Sequence, residues 1–432
     1  MTKTVNFRTL GCRLNQSESD VLQYQLRREG YRIVSFSAPA DISVINSCAV
    51  TVPAEAKTRR AIAAARRVSP AGRIVVMGCY SQIAAGKLAK LQNVDLILGN
   101  REKYDLPKFL AQPGENEKRI SVAAAGNCYS FAPAGTAASG THTRAYLKVQ
   151  DGCDYYCAYC IIPYLRGPSR SRRADDCLEE ARLLENEGFR EIVLTGINIG
   201  TYRTAEGETI EDLIRALLMG TAIPRIRISS IEPDLISGRL IDLIAHEKRI
   251  CRHLHLPLQH GSDEMLKAML RRYRAADFAG LVHRIHDINP EICIGTDLMV
   301  GFPGESENHF RQMEKLLEEL PLSYFHVFRF SPRPGTRAAG KTDDVPFAVK
   351  QERSAILRTL GQRKRREFQR RFIGQNMTVL FEQEIAPHQI EGLTDNFIRV
   401  KVRAEKARIH RLGTVTFTRL REDYIDGELI GD

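Results

Sequence analysis

Leu147-Lys-Val-Gln-Asp-Gly-Cys153-Asp-Tyr-Tyr-Cys157-Ala-Tyr-Cys160 is the stretch on which the reading of this chain turns. An apolar, strand-like run ends in a glycine turn, and three thiols follow at C-x3-C-x2-C spacing. Parallel α/β architectures place their ligands in this way, in the loop beyond the C-terminal end of a strand. Three thiolates on a cubane cluster leave one iron without a protein ligand. Such an iron can chelate the amino and carboxylate groups of a methionine derivative. A zinc knuckle completed by a distant Cys or His is the competing reading of the same spacing.

Downstream, apolar runs at Glu191–Thr195, Arg225–Ser229, His253–Leu258, Ile292–Val300 and Tyr324–Phe330 follow the first run, Ala145–Val149, each separated by a helix-length segment. This alternation predicts a full or partial barrel of six parallel strands with its chemistry at their C-terminal ends. Upstream, Val5–Leu10, Ile42–Asn46 and Ile74–Met77 alternate with helical patterns near Glu18–Glu29 and Ala54–Val68, which predicts a separate parallel α/β layer. Cys12, Cys48 and Cys79 each fall just past one of those strands and so would converge at one sheet edge. Taken singly, each also reads as a buried small hydrophobe.

Between about Gly114 and Thr143 the chain is rich in Ala, Gly, Pro, Ser and Thr, the composition of a linker. A cation-dense helical stretch from Arg353 to Arg371 includes Arg363, Lys364, Arg365 and Arg366. From Gly374 the pattern changes to short alternating runs, Thr378–Phe381, Phe397–Val402 and Thr414–Leu420. These predict a small all-β barrel, a common nucleic-acid platform, and Arg399 and Lys401 lie in it as candidate RNA contacts.

The chain of 432 residues is long enough for two or three domains. Its net charge of +11 suits a polyanionic partner, although a solvated basic surface gives the same count. No apolar stretch reaches the roughly 18 residues of a membrane span, and no secretory core precedes the first strand, so a cytoplasmic protein without a membrane partner is expected. In that reducing compartment, closely spaced members of the ten cysteines suit metal ligation better than disulfides.

With Tyr159 directly before Cys160, the triplet resembles the signature of the radical S-adenosylmethionine superfamily. The resemblance implies that Thr195, Gly196 and Asn198 of Leu194–Gly200 hold the methionine end of the cofactor. Glu232 of Ser229–Pro233, and Leu298, Val300 and Gly301 of Thr296–Glu305, would lie near ribose and adenine, with Tyr159 completing the pocket. Two three-cysteine groups in this order, followed by a β tail, resemble the methylthiotransferases over nearly the whole chain. Arg166-Gly-Pro-Ser-Arg-Ser-Arg172, His255-Leu-Pro-Leu-Gln259, Met269-Leu-Arg-Arg-Tyr273 and Ser331-Pro-Arg-Pro-Gly-Thr336 extend the match.

The family's organisation implies an N-terminal methylthiotransferase domain at 1–113, a linker at 114–138, a radical S-adenosylmethionine core at 139–370 and an RNA-binding TRAM barrel at 371–432. It also implies two [4Fe-4S] clusters, one on Cys12, Cys48 and Cys79 and one on Cys153, Cys157 and Cys160. Two S-adenosylmethionine molecules would serve each turnover, one methylating a sulfur held at the first cluster and one giving a deoxyadenosyl radical at the second. No acid or base residue is assigned. The implied partners are a tRNA anticodon stem-loop, a small flavodoxin- or ferredoxin-like electron donor and a sulfur source.

Gly11-Cys-Arg-Leu-Asn-Gln-Ser-Glu-Ser19 looks most like the branch acting on threonylcarbamoyladenosine at tRNA position 37. The isopentenyladenosine branch and the ribosomal-protein aspartate branch are the alternatives, and an RNA-binding protein merely braced by clusters is a remoter one. His260 stands where the family usually has Ser and is expected to be packed or solvent-facing. Cys128, Cys177, Cys251 and Cys293 fit neither triplet and read as structural thiols. Loss of the tail from Gly374 onward is expected to weaken tRNA affinity and to spare cofactor cleavage.

Overall fold

In the computed structural model, which describes residues 2–50, 52–111, 119–125 and 143–431, the first sheet is parallel throughout. Strands β1 (Thr4–Thr9), β2 (Arg32–Val34), β3 (Ile42–Ser47), β4 (Arg73–Gly78), β5 (Leu96–Leu98) and β6 (Arg119–Ser121) lie in the order β2-β1-β3-β4-β5-β6. Helix α1 (Arg13–Arg28) covers one face, packing Leu22 and Leu26 against Val44 and Val75. Helices α2 (Val52–Val68) and α3 (Cys79–Ala89) cover the other, with Ile62 and Leu88 against Ile45 and Val76. Coverage on both faces explains why β3 is an unbroken buried run rather than an alternating one.

Two expectations change here. Helix α1 starts at Arg13 rather than near Glu18, because its first two turns bury Asn15, Ser17 and Glu18 beside Leu14, and that polar burial hides the apolar period. The N-terminal sheet also extends past residue 113, since β6 pairs with β5 from within the expected linker. Most of the remaining linker, with Cys128, lies outside the described residues.

The central strands are β7 (Ala145–Lys148), then a short antiparallel pair β8 (Gln150–Asp151) and β9 (Arg170–Ser171), then β10 (Glu191–Thr195), β11 (Arg225–Ile228), β12 (His253–His255), β13 (Cys293–Val300) and β14 (Tyr324–Arg329). Parallel pairing gives two three-stranded sets, and parallel bridges Ile226–Ile250 and Ser230–His255 join them into an open barrel, β7-β10-β11-β12-β13-β14. Along each strand, residues such as Ile226, Leu254, Ile294, Leu298 and Val327 enter the main core. The alternate residues, among them Arg225, Arg227, His255, Asp297, Tyr324 and His326, line the lumen.

After the helix Phe347–Arg370, strands β15 (Asn376–Ala386), β16 (Gln389–Thr394), β17 (Arg399–Arg403), β18 (Leu412–Leu420) and β19 (Ile425–Ile430) close into a barrel in the order β15-β16-β17-β19-β18, as expected for a TRAM domain. The β16–β17 turn plugs the lower mouth of the central barrel. Arg225 donates to Leu393 O (3.0 Å) and Thr378 O (2.6 Å), and Arg227 donates to Asp395 O (2.9 Å) and Thr394 O (3.0 Å). Phe397, held at a φ of 65°, stacks on His253 with ring centroids 4.3 Å apart.

The tail is therefore not a detachable module, and the expectation that cofactor cleavage survives its loss is revised. Truncation before Gly374 strands two buried guanidinium groups without their carbonyl acceptors. This should cost about 3 kcal/mol or more and lower Tm and cofactor cleavage together. An unchanged Tm in the truncated chain would show that the plug contributes nothing.

Candidate active site

The C-terminal end of β7 opens into the cysteine loop, which β8 and β9 pin at its base. Cys153 N donates to Gly167 O (3.1 Å), Cys160 N to Cys157 O (2.9 Å) and Ala158 N to Met269 O (3.0 Å), so the three thiols share one small volume. Burial pushes the Cys153 thiol up to about 11 and the Cys160 thiol up to about 12, with Cys157 adding to both. A metal must displace those protons as it binds. Arg271 approaches the same loop, placing Nη1 3.1 Å from Cys157 Sγ and 3.4 Å from Tyr159 Oη. Its other amine pairs with Glu232, so this carboxylate is tied to the cysteine loop. Burial raises the pKa of Glu232 and Arg271 opposes the rise. Arg271 lies in the Met269–Tyr273 segment, whose local pattern gives no sign of this contact.

The glycine loop after β10 is shaped by Gln150. Its Oε1 accepts from Ile197 N and Asn198 N (both 2.9 Å), while its Nε2 donates to Gly152 O (2.8 Å), joining the glycine loop to the cysteine loop. Both amide atoms of Asn198 and the hydroxyl of Ser229 are buried without a hydrogen-bond partner. Buried polar atoms are costly unless something bonds them, and a ligand with amino, carboxylate and hydroxyl groups fits that need.

Other expected cofactor residues are placed differently. The Thr195 hydroxyl is used within its strand, donating to Val193 O (3.0 Å). Leu298 and Val300 bury their side chains in the core, which leaves only backbone for a ligand. Gly301 N already donates to Glu305 (2.7 Å). His260 is fully buried, with Nδ1 accepting from Ser262 N (3.0 Å) and Nε2 3.5 Å from Glu305; burial lowers its pKa against the pull of that carboxylate. The histidine is a packed one.

Cys12, Cys48 and Cys79 follow β1, β3 and β4, which are neighbours in the sheet. Gly11, at a φ of 96°, lies so close that a Cβ there would sit 2.8 Å from both Cβ and Sγ of Cys48. Gly78, at 95°, leaves no more room, since its Cβ would stand 2.4 Å from Asn46 Oδ1. Asn15 Nδ2 donates to Leu10 O (2.8 Å) and Ser47 O (3.1 Å), and Ser47 Oγ accepts from Tyr80 N (3.2 Å), so all three loops are laced together. Cys48 and Cys79 are buried, and Cys12 is exposed at the rim.

Beside this triplet lies a buried charge cluster that sequence reading missed. Arg166, 1% exposed, donates to Asn15 Oδ1 (2.8 Å), Glu18 Oε1 (2.9 Å) and Asp151 Oδ1 (3.1 Å). Lys103 and Lys148 also pair with Glu18 (2.5 and 2.9 Å), and Lys148 and Arg170 pair with Asp151 (2.7 and 2.8 Å). Among the described residues these four cations share Glu18 and Asp151, and Arg166 is within electrostatic reach of Cys12 and Cys79. The buried guanidinium of Arg166 beside three thiols suits an anionic thiolate-bound cluster. No single position advertises this arrangement, since its members come from α1, the segment after β5, the end of β7, the β8–β9 pair and the cysteine loop.

A cavity of about 210 Å³ opens beside Cys160, lined by Tyr159, Gln259, Asp297, Met299, Phe328, Arg329 and Arg333 among others, with Val50, two residues past Cys48, the N-terminal domain's contribution. Asp297 is gripped by His255 (3.0 Å) and His326 (3.2 Å), which hold its carboxyl well below the usual range although burial alone would raise it. The expected RNA contacts are partly used elsewhere. Arg363 pairs with Glu318 (3.2 Å), Lys364 donates to Glu318 O (2.6 Å) and Leu320 O (2.7 Å), Arg399 pairs with Glu391 (2.6 Å), and Lys401 sits over Tyr424 (3.8 Å). Arg365 is half-buried and Arg366 exposed on the same helix.

Residues 4–99 match the family model described as Uncharacterized protein family UPF0004, and residues 147–317 match that of the Radical SAM superfamily. The threonylcarbamoyladenosine tRNA methylthiotransferase MtaB of Aquifex aeolicus is 38% identical over 398 residues, a span covering 92% of this chain and 96% of that relative. This chain belongs to the radical S-adenosylmethionine methylthiotransferase family. The methylthiotransferase is also 32% identical to the Bacillus subtilis protein of the same name, over 99% of this chain and 96% of that one. It is 36% identical to a tRNA-2-methylthio-N(6)-dimethylallyladenosine synthase of Syntrophobacter fumaroxidans, over 82% and 79%. In fold, it is similar to the radical S-adenosylmethionine methyltransferase TsrM of Kitasatospora setae, with a TM-score of 0.56 at 16% identity over 78% of this chain and 77% of that one. Membership makes the methylthiotransferase an enzyme that transfers a methylthio group, with a [4Fe-4S] cluster and S-adenosylmethionine as its cofactors. Among the described residues, no helix is long and apolar enough to cross a membrane.

Proposed function

We propose that this enzyme converts N6-threonylcarbamoyladenosine at tRNA position 37 to its 2-methylthio derivative. The cavity beside Cys160 carries the reading, because a base seated there would lie against the cysteine loop of the central barrel with Val50, from the loop that follows Cys48, on its wall. The curated relatives from Aquifex aeolicus and Bacillus subtilis, matched over nearly their full length, support this substrate. In this reading Cys153, Cys157 and Cys160 hold one [4Fe-4S] cluster and Cys12, Cys48 and Cys79 hold a second. Together these clusters supply radical generation and a sulfur to be methylated, using two S-adenosylmethionine molecules per turnover.

The chain's own residues bind and shield. Asn198 and Ser229 offer the unpaired polar atoms that receive the cofactor, and Arg271 holds Glu232 against the cysteine loop. Tyr159, Met299 and Phe328 wall the cavity with apolar surface that keeps water from a reactive centre. The carboxy-terminal barrel and the exposed cations Arg366 and Arg370 supply contacts to the anticodon stem-loop phosphates. A small flavodoxin- or ferredoxin-like donor, a sulfur source and a cytoplasmic setting complete the reading.

The test uses anaerobically reconstituted enzyme and two anticodon stem-loop RNAs, one with threonylcarbamoyladenosine and one with isopentenyladenosine. Mass spectrometry should find the methylthio group on the first, with kcat/KM at least about 10-fold higher than on the second. Preference for the isopentenyl RNA would assign the chain to the other tRNA branch.

A further inference from the structure

Among the described residues, Arg13 has no ion-pair partner that accounts for its position. It is the first residue of α1, directly after Cys12, and it is half-buried where α1 packs over β7 and β10. The groups within its electrostatic reach are Tyr146, Tyr324, Arg144 and Arg227, all from the barrel side, and among the described residues no carboxylate pairs with it. Its cationic neighbours are engaged elsewhere, Arg227 with Glu191 (2.6 Å) and Arg144 with Glu382 (2.7 Å). Arg144 Nη1 makes no hydrogen bond and lies 3.9 Å from Glu191, which Arg227 already holds. Beside the Cys12 loop the barrel thus faces a guanidinium that no described carboxylate compensates, an arrangement that favours an anion and disfavours an apolar group.

We propose that Arg13 is the specificity-determining residue of this enzyme, receiving the carboxylate of the N6-threonylcarbamoyl substituent from its place beside Cys12. The inference rests on the substrate reading above. A carboxylate can take two parallel N–H bonds from the guanidinium, which positions the base as well as holding it. An isopentenyl chain offers no acceptor and would leave Arg13 desolvated and unpaired, so the same residue selects against that substrate.

The experiment compares wild type, Arg13→Gln and Arg13→Lys holoenzymes. One stem-loop RNA carries threonylcarbamoyladenosine with its free carboxylate, and the other carries the methyl ester of that carboxylate. In wild type the free acid should be favoured. Arg13→Gln should raise KM for the acid roughly 10- to 100-fold with a smaller change in kcat and little change for the ester, and Arg13→Lys should recover part of the loss. The acid-to-ester ratio within one preparation does not depend on how much cluster that preparation holds. An unchanged ratio in Arg13→Gln, with wild type active on the acid, would overturn the role of Arg13 and leave the substrate reading standing. Wild type inactive on the acid but active on isopentenyl RNA would overturn the substrate reading itself.

Discussion

Replacing Cys153, Cys157 and Cys160 together by alanine is expected to abolish both methylthio transfer and deoxyadenosine formation while leaving about half of the reconstituted iron. The three thiols occupy one loop at the end of β7, and the other triplet is held by a different sheet through Gly11, Gly78 and the Asn15 and Ser47 hydrogen bonds. Neither set borrows a ligand from the other, so each should load independently. Wild type should bind about eight irons and the variant about four. Four irons in wild type, all lost in the variant, would mean that Cys12, Cys48 and Cys79 are only buried thiols and that the sulfur-handling half is missing. The converse variant, Cys12, Cys48 and Cys79 to alanine, should keep deoxyadenosine formation and lose product.

The second large effect is structural. Arg166→Met should destabilise the apo protein by about 3–5 kcal/mol, because it removes one partner from a buried ionic cluster and leaves its carboxylates under-bonded. Burial alone would raise the pKa of Glu18, but Arg166 and Lys103 bring it well below the usual value; Lys148 and Arg166 do the same for Asp151. Carboxyls held low in the folded state contribute stability above their unfolded pKa of about 4, and that stability is lost as pH falls. Wild type should therefore lose stability between about pH 5 and the acid limit, and Arg166→Met should show a shallower decline over the same range. Chemical denaturation across pH measures both. Equal slopes would show that Arg166 does not hold these carboxylates ionised.

The elements most legible in the sequence were those whose pattern is local. The parallel strands announced themselves as short apolar runs, and the six cysteines by their position just after such runs. The start of α1 was not legible, because Asn15, Ser17 and Glu18 are buried for partners that come from elsewhere. The strand β6 was masked by a linker-like composition, and its three residues are strand only because β5 offers them a free edge. Arg225 and Arg227 read as an ordinary alternating strand, yet each is bonded to carbonyls more than 150 residues away.

The sequence by itself determined the two cysteine triplets, the order of the domains and the family, because ligand spacing and strand-to-loop alternation are written within a few residues of one another. Tertiary structure alone decided that the terminal barrel plugs the central one, that Arg166 ties the two cysteine-bearing domains through Glu18 and Asp151, and that Arg13 faces the barrel with no carboxylate partner among the described residues. The physical reason is common to all three. A buried charge must find its partner wherever the fold brings one, and that distance in space leaves no period or motif along the chain.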